Sequence, residues 1–252
     1  MGTVDRSLAW DGCFNVRDLG GLETASGGRT RRGAVVRADN VRRLTAAGWQ
    51  AALDHGVRRL VDLRFENEEP GEPGPPREVE VVAVSLFGEH DLVAEDRIAE
   101  RLLSAADAAA AHAGFYIRTL EERSQTVAAA VAAVAEADRA DGVVVHCFAG
   151  KDRTGIVSAL LLAVADVPDE AVAADYAASG PNMSHLFDEW IATAGDDSER
   201  ELRRRLAQAE HATMAAVLAW LRDTAGGAGA YLRDAGLPEE QIVRLRARLV
   251  ER

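Results

Sequence analysis

Lysine is almost missing from this chain: of its 29 basic residues, Lys151 is the one lysine and the rest are arginine. Together with abundant alanine, that imbalance reads as high-GC, actinobacterial coding and carries no function by itself. Cysteine is nearly as scarce. Cys13 and Cys147 are too few for a disulfide scaffold, so a reducing, cytoplasmic setting is the expectation. Positive charge is short as well. A net charge of −12 argues against nucleic acid as a partner and against standing attachment to anionic membranes, so any attraction for an anionic ligand must be local to a site. No apolar run approaches the roughly 20 residues of a membrane-spanning helix. Met1 to Asp11 has neither a basic start nor an apolar stretch, so no cleavable secretory signal is expected. No cluster has metal-ligand spacing, and neither a metal nor any other cofactor is expected.

The 252 residues that remain to be explained suffice for a sizeable core, and strand and helix signals alternate. The pattern predicts an α/β fold over residues 1–252 as a single domain, with a mostly parallel central sheet flanked by helices and a helical C-terminal half. Strands are expected at 34–37, 59–63, 79–86 and 143–145. A helix capped by Thr45 should run to Asp54 and end at Gly56. The proline-rich segment 69–76 reads as a loop. Long helices are expected at 91–112 and 115–138. Beyond the centre the chain reads as wholly helical, with a helix start at Pro168-Asp169 and further segments at 184–194, 198–223, 227–235 and 238–251. Segment 198–223, rich in both charge signs, reads as a solvated helical face or as a mobile lid.

The chemistry is concentrated between residues 146 and 155, His146-Cys147-Phe148-Ala149-Gly150-Lys151-Asp152-Arg153-Thr154-Gly155. Three valines lead in like a buried strand, and Ile156 to Ala165 leaves like a packed helix. A free thiol is mostly protonated at neutral pH, but N–H groups and the dipole at a helix start favour the thiolate. The same N–H groups, from Phe148 through Arg153, suit the oxygens of a phosphoryl group, so one loop both activates Cys147 and holds its target. Arg153 offers a planar fork for two of those oxygens. Thr154 can help the sulfur leave, Gly150 and Gly155 relieve crowding, and His146 orients the cysteine. A cysteine ending a strand is usually an inert hydrophobe, yet this whole pattern between strand and helix favours a reactive site.

The loop resembles that of the cysteine-dependent protein tyrosine phosphatases, and most closely the bacterial tyrosine/serine and phosphoinositide phosphatase branch typified by a mycobacterial enzyme. Further matching segments are Asn15-Val16-Arg17-Asp18-Leu19-Gly20-Gly21, Arg32-Gly33, Arg37-Ala38-Asp39, Val61-Asp62-Leu63-Arg64 and a C-terminal Tyr231-Leu232…Gly236-Leu237. The resemblance covers nearly the whole chain. It implies a phosphatase-type fold, a phosphorylated protein or phosphoinositide as substrate, Cys147 as nucleophile and Arg153 as phosphate clamp. It also implies helices near 91–112 and 184–223 as a lid. Lys151 would then bind additional negative charge near the phosphate, or merely support the thiolate. No tryptophan precedes a proline, so the mobile Trp-Pro-Asp segment of other tyrosine phosphatases is absent. The general acid is then Asp152 or Asp62, with Asp152 favoured. Asn15, Arg17 and Asp18 read as bracing residues, and Cys13 as inert, a disulfide with Cys147 being the lesser alternative.

Two rivals differ in class. A sulfurtransferase carries a persulfide on a shorter loop, whereas the Cys147–Arg153 spacing fits a tetrahedral phosphate. A non-catalytic phosphate-binding module would not need cysteine, arginine and threonine together. Arsenate reduction would want resolving cysteines beyond Cys13. Nothing in the sequence indicates an oligomeric state.

Overall fold

Val143 to Val145 are buried to the last atom or nearly so, and their side chains alternate between two hydrophobic clusters. Val143 and Val145 face one cluster with Leu160 and Leu161; Val144 faces the other with Trp10 and Trp49. That is why the strand reads as an unbroken apolar run: helices cover both faces of the sheet. The computed structural model describes residues 5–66, 74–88 and 92–251.

The chain opens with strands β1 (Arg17–Asp18), β2 (Arg29–Thr30) and β3 (Val35–Ala38), a 3-10 turn (Val41–Arg43) and helix α1 (Ala46–Asp54). Strands β4 (Val57–Asp62) and β5 (Glu80–Ala83) follow, then helices α2 (Leu92–Ser104), α3 (Ala108–Glu122) and α4 (Ser124–Ala135). Strand β6 (Gly142–His146) leads to α5 (Asp152–Val164), α6 (Asp169–Ala177), α7 (Ser179–Ala192), α8 (Asp197–Ala207) and α9 (His211–Thr224). Helices α10 (Ala228–Asp234) and α11 (Glu239–Leu249) and strand β7 (Val250–Glu251) complete the chain. The main sheet has the order β1-β3-β6-β4-β5, parallel throughout except that β1 runs against β3. Ala38, His146 and Asp62 lie in register, so the carboxyl ends of β3, β6 and β4 meet on one edge. In open α/β sheets that edge is where ligands bind.

The mostly parallel sheet flanked by helices is the expected fold. Thr45 caps α1 through the Gly48 N–H, and Gly56 follows with φ +93°, as read from the sequence. Three expectations are corrected. The two long helices expected at 91–112 and 115–138 are three, because Asp107 caps a new helix by accepting from the Ala110 N–H and Arg123 breaks the next one. An alanine-rich stretch has too little periodicity to show such breaks. The expected helix at 198–223 is likewise two, parted at Gln208, whose backbone is extended. The C-terminal half is not wholly helical, since β7 pairs antiparallel with β2. The expected loop at 69–76 lies largely outside the described residues. No helix among the described residues is long and apolar enough to cross a membrane.

Candidate active site

Cys147 directly follows β6 and sits only 2% exposed, at the floor of the loop that leads into α5. Three carbonyls of this loop are pulled outward into the body of the protein. The Asn40 N–H donates to the Phe148 oxygen at 3.0 Å, Asn15 Nδ2 to the Ala149 and Gly150 oxygens at 3.0 and 3.1 Å, and Arg37 Nη2 to the Gly150 oxygen at 2.7 Å. With its carbonyls turned away, the loop turns its N–H groups inward. Those of residues 148–152 donate to nothing among the described residues, which makes the loop an anion cradle at a helix start.

Gly150 is required here. It has φ +65°, and a Cβ would lie 2.5 Å from the Ala38 oxygen. Gly155 is needed for another reason, since its Cβ would press to 2.9 Å on the Tyr176 ring. Gly150→Ala is therefore expected to push the loop off the β3 end and lower kcat/KM by about 100-fold, measured on an aryl phosphate.

Arg153 is 8% exposed and lies over the Phe65 ring at 4.7 Å and the Phe87 ring at 5.5 Å, so its fork is held by aromatic faces. The Thr154 hydroxyl is fully buried and unpartnered, as expected of a group that acts on something bound in the cradle. His146 Nδ1 lies 3.2 Å from the Cys147 carbonyl, and Nε2 lies 3.5 Å from Asp62 Oδ1. Burial pushes the His146 pKa down to about 4, against the pull of Asp62, so the ring is neutral.

The two acid candidates are in different settings. Asp62 is gripped by Arg64, with Nε at 3.0 and 3.2 Å and Nη2 at 2.9 Å. Burial raises its pKa, but the Arg64 bonds and His146 bring it below the ordinary carboxylate value. Asp152 has a third of its side-chain surface open and accepts from Lys151 Nζ at 2.7 Å and from the Tyr116 hydroxyl. Burial opposes its ionisation, but the charge of Lys151 and the hydrogen bonds from Lys151 and Tyr116 hold its pKa below the ordinary value. Lys151 itself is buried, and its ammonium is turned to Asp152 and not to the cavity. Burial works against that charge, yet Asp152, Tyr176 and Cys147 hold its pKa above the usual lysine value.

A cavity of about 470 Å³ opens over Asp152 and Arg153. Its apolar walls include Phe65, Phe87, Leu102, Phe115, Trp190 and Leu206, drawn from α2, α3, α7, α8 and two loops. Helix α8 has no buried residue and is tied down by arginines: Arg205 Nη1 donates to the Leu102 and Ala105 carbonyls at 2.7 Å. Of segment 198–223 only α8 borders the cavity, while α9 buries Met214, Val217, Leu218 and Leu221 in the core.

A sequence model of the tyrosine phosphatase family matches residues 8–251. The chain belongs to that family. It is 30% identical over 229 residues to a tyrosine-protein phosphatase of Nostoc commune, covering 86% of this chain and 74% of that one. It is 28% identical over 273 residues to the triple specificity protein phosphatase PtpB of Mycobacterium tuberculosis, covering 95% and 97%. Membership implies a phosphorylated substrate.

Asn15 braces this loop directly, Arg17 acts through Asn15 by donating to its side-chain oxygen at 2.5 Å, and Asp18 braces the opposite sheet edge, accepting from the Gly20 and Gly33 N–H groups at 2.7 and 2.8 Å. Sequence reasoning missed the residue that unites them. Asp175 on α6 accepts from Arg6 at 2.7 Å, from Arg17 Nε at 3.2 Å and from Arg37 Nη1 at 2.6 Å, and Arg37 then reaches the Gly150 carbonyl. No local motif signals such a partner 138 or more residues away. Tyr116, Tyr176, His112 and the Phe65–Phe87 pair were missed for the same reason. Cys13 lies with the second cluster, on the opposite sheet face from Cys147, and both thiols are free. Burial, then Asp39, pushes the Cys13 thiol far above its usual pKa.

Proposed function

We propose that the chain is a metal-independent phosphatase that hydrolyses phosphotyrosine through a cysteinyl-phosphate on Cys147. The observation that carries this reading is the cradle. Three outward-tied carbonyls leave a ring of N–H groups around Cys147, with the Arg153 fork beside it. The thiolate attacks phosphorus, and the bond from phosphorus to the tyrosyl oxygen breaks. Asp152 gives its proton to that oxygen. Water then attacks the phosphorus and passes a proton back to Asp152, while the sulfur leaves as thiolate with the Thr154 hydroxyl to receive it. Backbone N–H groups and Arg153 meet the charge that builds on the equatorial oxygens.

Asp152 is the acid in this reading because it lines the cavity, whereas Asp62 is enclosed by Arg64 and does not. Lys151 supports Asp152 and the thiolate. The helices α2, α7 and α8 act as a lid, in a single domain that works in a reducing, cytoplasmic setting. A relative named a triple specificity phosphatase supports extending the substrates to phosphoserine, phosphothreonine and phosphoinositides.

Asp152→Asn and Asp62→Asn separate the acids. Because Asp152 is held below the ordinary carboxylate value, its protonated form dwindles as pH rises, and the wild-type rate should fall toward neutral and basic pH. Asp152→Asn should flatten that limb and cost about 100-fold or more on a phosphotyrosyl peptide, less on p-nitrophenyl phosphate, whose leaving group needs no proton. A limb flattened by Asp62→Asn instead would move the role to Asp62. The reading as a whole is tested by assaying phosphotyrosyl and phosphoseryl peptides and phosphoinositides with chelator present. Turnover blocked by vanadate is expected; binding without turnover of any of them would favour a recognition module.

A further inference from the structure

Two cations in the active-site cavity are left unmatched. Arg118 on α3 and Arg101 on α2 line the same cavity as Asp152 and Arg153, and neither has a hydrogen-bond, ion-pair or ring partner among the described residues. Nearby arginines are matched, Arg203 with Glu199 and Arg205 with Glu201. Among the described residues the one carboxylate in the cavity wall, Asp152, already takes Lys151 and the Tyr116 hydroxyl. The cavity is thus strongly positive in a protein of net charge −12.

A second observation is independent of these charges. His112 lines the cavity, is 3% exposed, and has no partner on either ring nitrogen. Buried polar atoms are nearly always satisfied, so a bound molecule is the natural partner. Burial and then Lys151 push its pKa down to about 4, leaving a neutral ring with one donor and one acceptor.

The geometry points to a second anion subsite, formed by Arg101, His112 and Arg118, that takes the acidic flank of a phosphotyrosyl peptide. It rests on the phosphatase reading above and adds a substrate preference to it. Ala111, Phe115 and Arg118 share one face of α3, and His112 to Arg118 spans six residues, about 9 Å along the helix. An extended peptide covers that distance in about three residues, so the subsite can meet a short run of flanking side chains. Phe65, Phe87, Phe115 and Trp190 suit a tyrosyl ring, whereas a polyhydroxylated inositol ring would leave its hydroxyls against apolar walls.

The test compares two phosphotyrosyl peptides that differ only in glutamate against glutamine at the flanking positions, with p-nitrophenyl phosphate as reference. Wild-type protein should favour the acidic peptide about tenfold in kcat/KM at low salt, and less at high salt. That ratio should fall part-way in Arg101→Gln and in Arg118→Gln, and close to one in the double variant. Hydrolysis of both peptides with a wild-type ratio near one, or with a ratio unchanged in the double variant, overturns the subsite and leaves the phosphatase reading intact. Hydrolysis of p-nitrophenyl phosphate but of neither peptide also overturns it. Failure on all three substrates fails the phosphatase reading itself. A bisphosphorylated inositol headgroup turned over faster than the acidic peptide, with the advantage lost in the double variant, would assign the subsite to a lipid.

Discussion

Cys147→Ser should abolish hydrolysis of aryl phosphates, with a loss on the order of 10⁶-fold in kcat while the protein stays folded. A serine hydroxyl is not ionised by a cradle of N–H groups at neutral pH, so the nucleophile is lost. The substitution is nearly isosteric, and the site's other parts are untouched: the Phe148, Ala149 and Gly150 carbonyls remain tied to Asn40, Asn15 and Arg37, and Arg153 remains over Phe65 and Phe87. A phosphotyrosyl peptide should therefore still bind, as titration calorimetry would register. Trapped wild-type protein quenched in acid should carry one phosphoryl group on Cys147, and the serine variant none. Retained turnover in Cys147→Ser would remove Cys147 from its role and take the cysteinyl-phosphate step with it.

The second large effect is expected far from the nucleophile. Asp175→Asn should destabilise the fold by about 3–5 kcal/mol and lower kcat/KM as well, because it leaves three guanidinium groups facing one another in a buried space. Arg17 and Arg37 are buried with Asp175, and Arg6 nearly so. Burial and the neighbouring Arg37 already press the Arg17 pKa down to about 9, which only the Asp175 charge opposes strongly. For Asp175, burial raises the pKa, but Arg17, Arg37 and Arg6 more than reverse it and hold the carboxyl far below its ordinary value. A depressed carboxylate stabilises the fold above its unfolded pKa of about 3.9, and that contribution fades as pH falls through the lower folded value. The gap between wild type and Asp175→Asn in urea unfolding should thus be widest near neutral pH and shrink in acid. The loss of activity follows from Arg37, which donates to both Asp175 and the Gly150 carbonyl. A variant as stable and as active as wild type would show that the cluster does not hold the loop.

The chemistry at residues 146–155 was legible because everything it needs is contiguous. A strand, a tight loop and a helix start place a thiol, a run of backbone N–H groups and a guanidinium within one short segment, and backbone geometry does the rest. The apolar runs that predicted β3, β4 and β6 were legible for a similar reason, since each strand carries its own buried residues. Helix ends in alanine-rich stretches were not, because the capping contacts of Asp107 and the break at Arg123 leave no trace in hydrophobic periodicity. The two-residue strands β1, β2 and β7 are too short to show any period.

The sequence by itself determined the Cys147–Arg153 loop between a strand and a helix, and with it an α/β fold that places such a loop at a sheet edge. Only the tertiary structure decided what surrounds the loop. It set Asp152 in the cavity and enclosed Asp62 with Arg64, turned the single lysine inward onto Asp152, and joined Asp175 to Arg37 across 138 residues of chain. It also brought Arg101, His112 and Arg118 to one cavity without side-chain partners among the described residues. The physical reason is range. Backbone hydrogen bonds and helix dipoles act over a few residues and are written in local order, whereas ion pairs, buried polar networks and cavity walls join segments that only the packed core brings together.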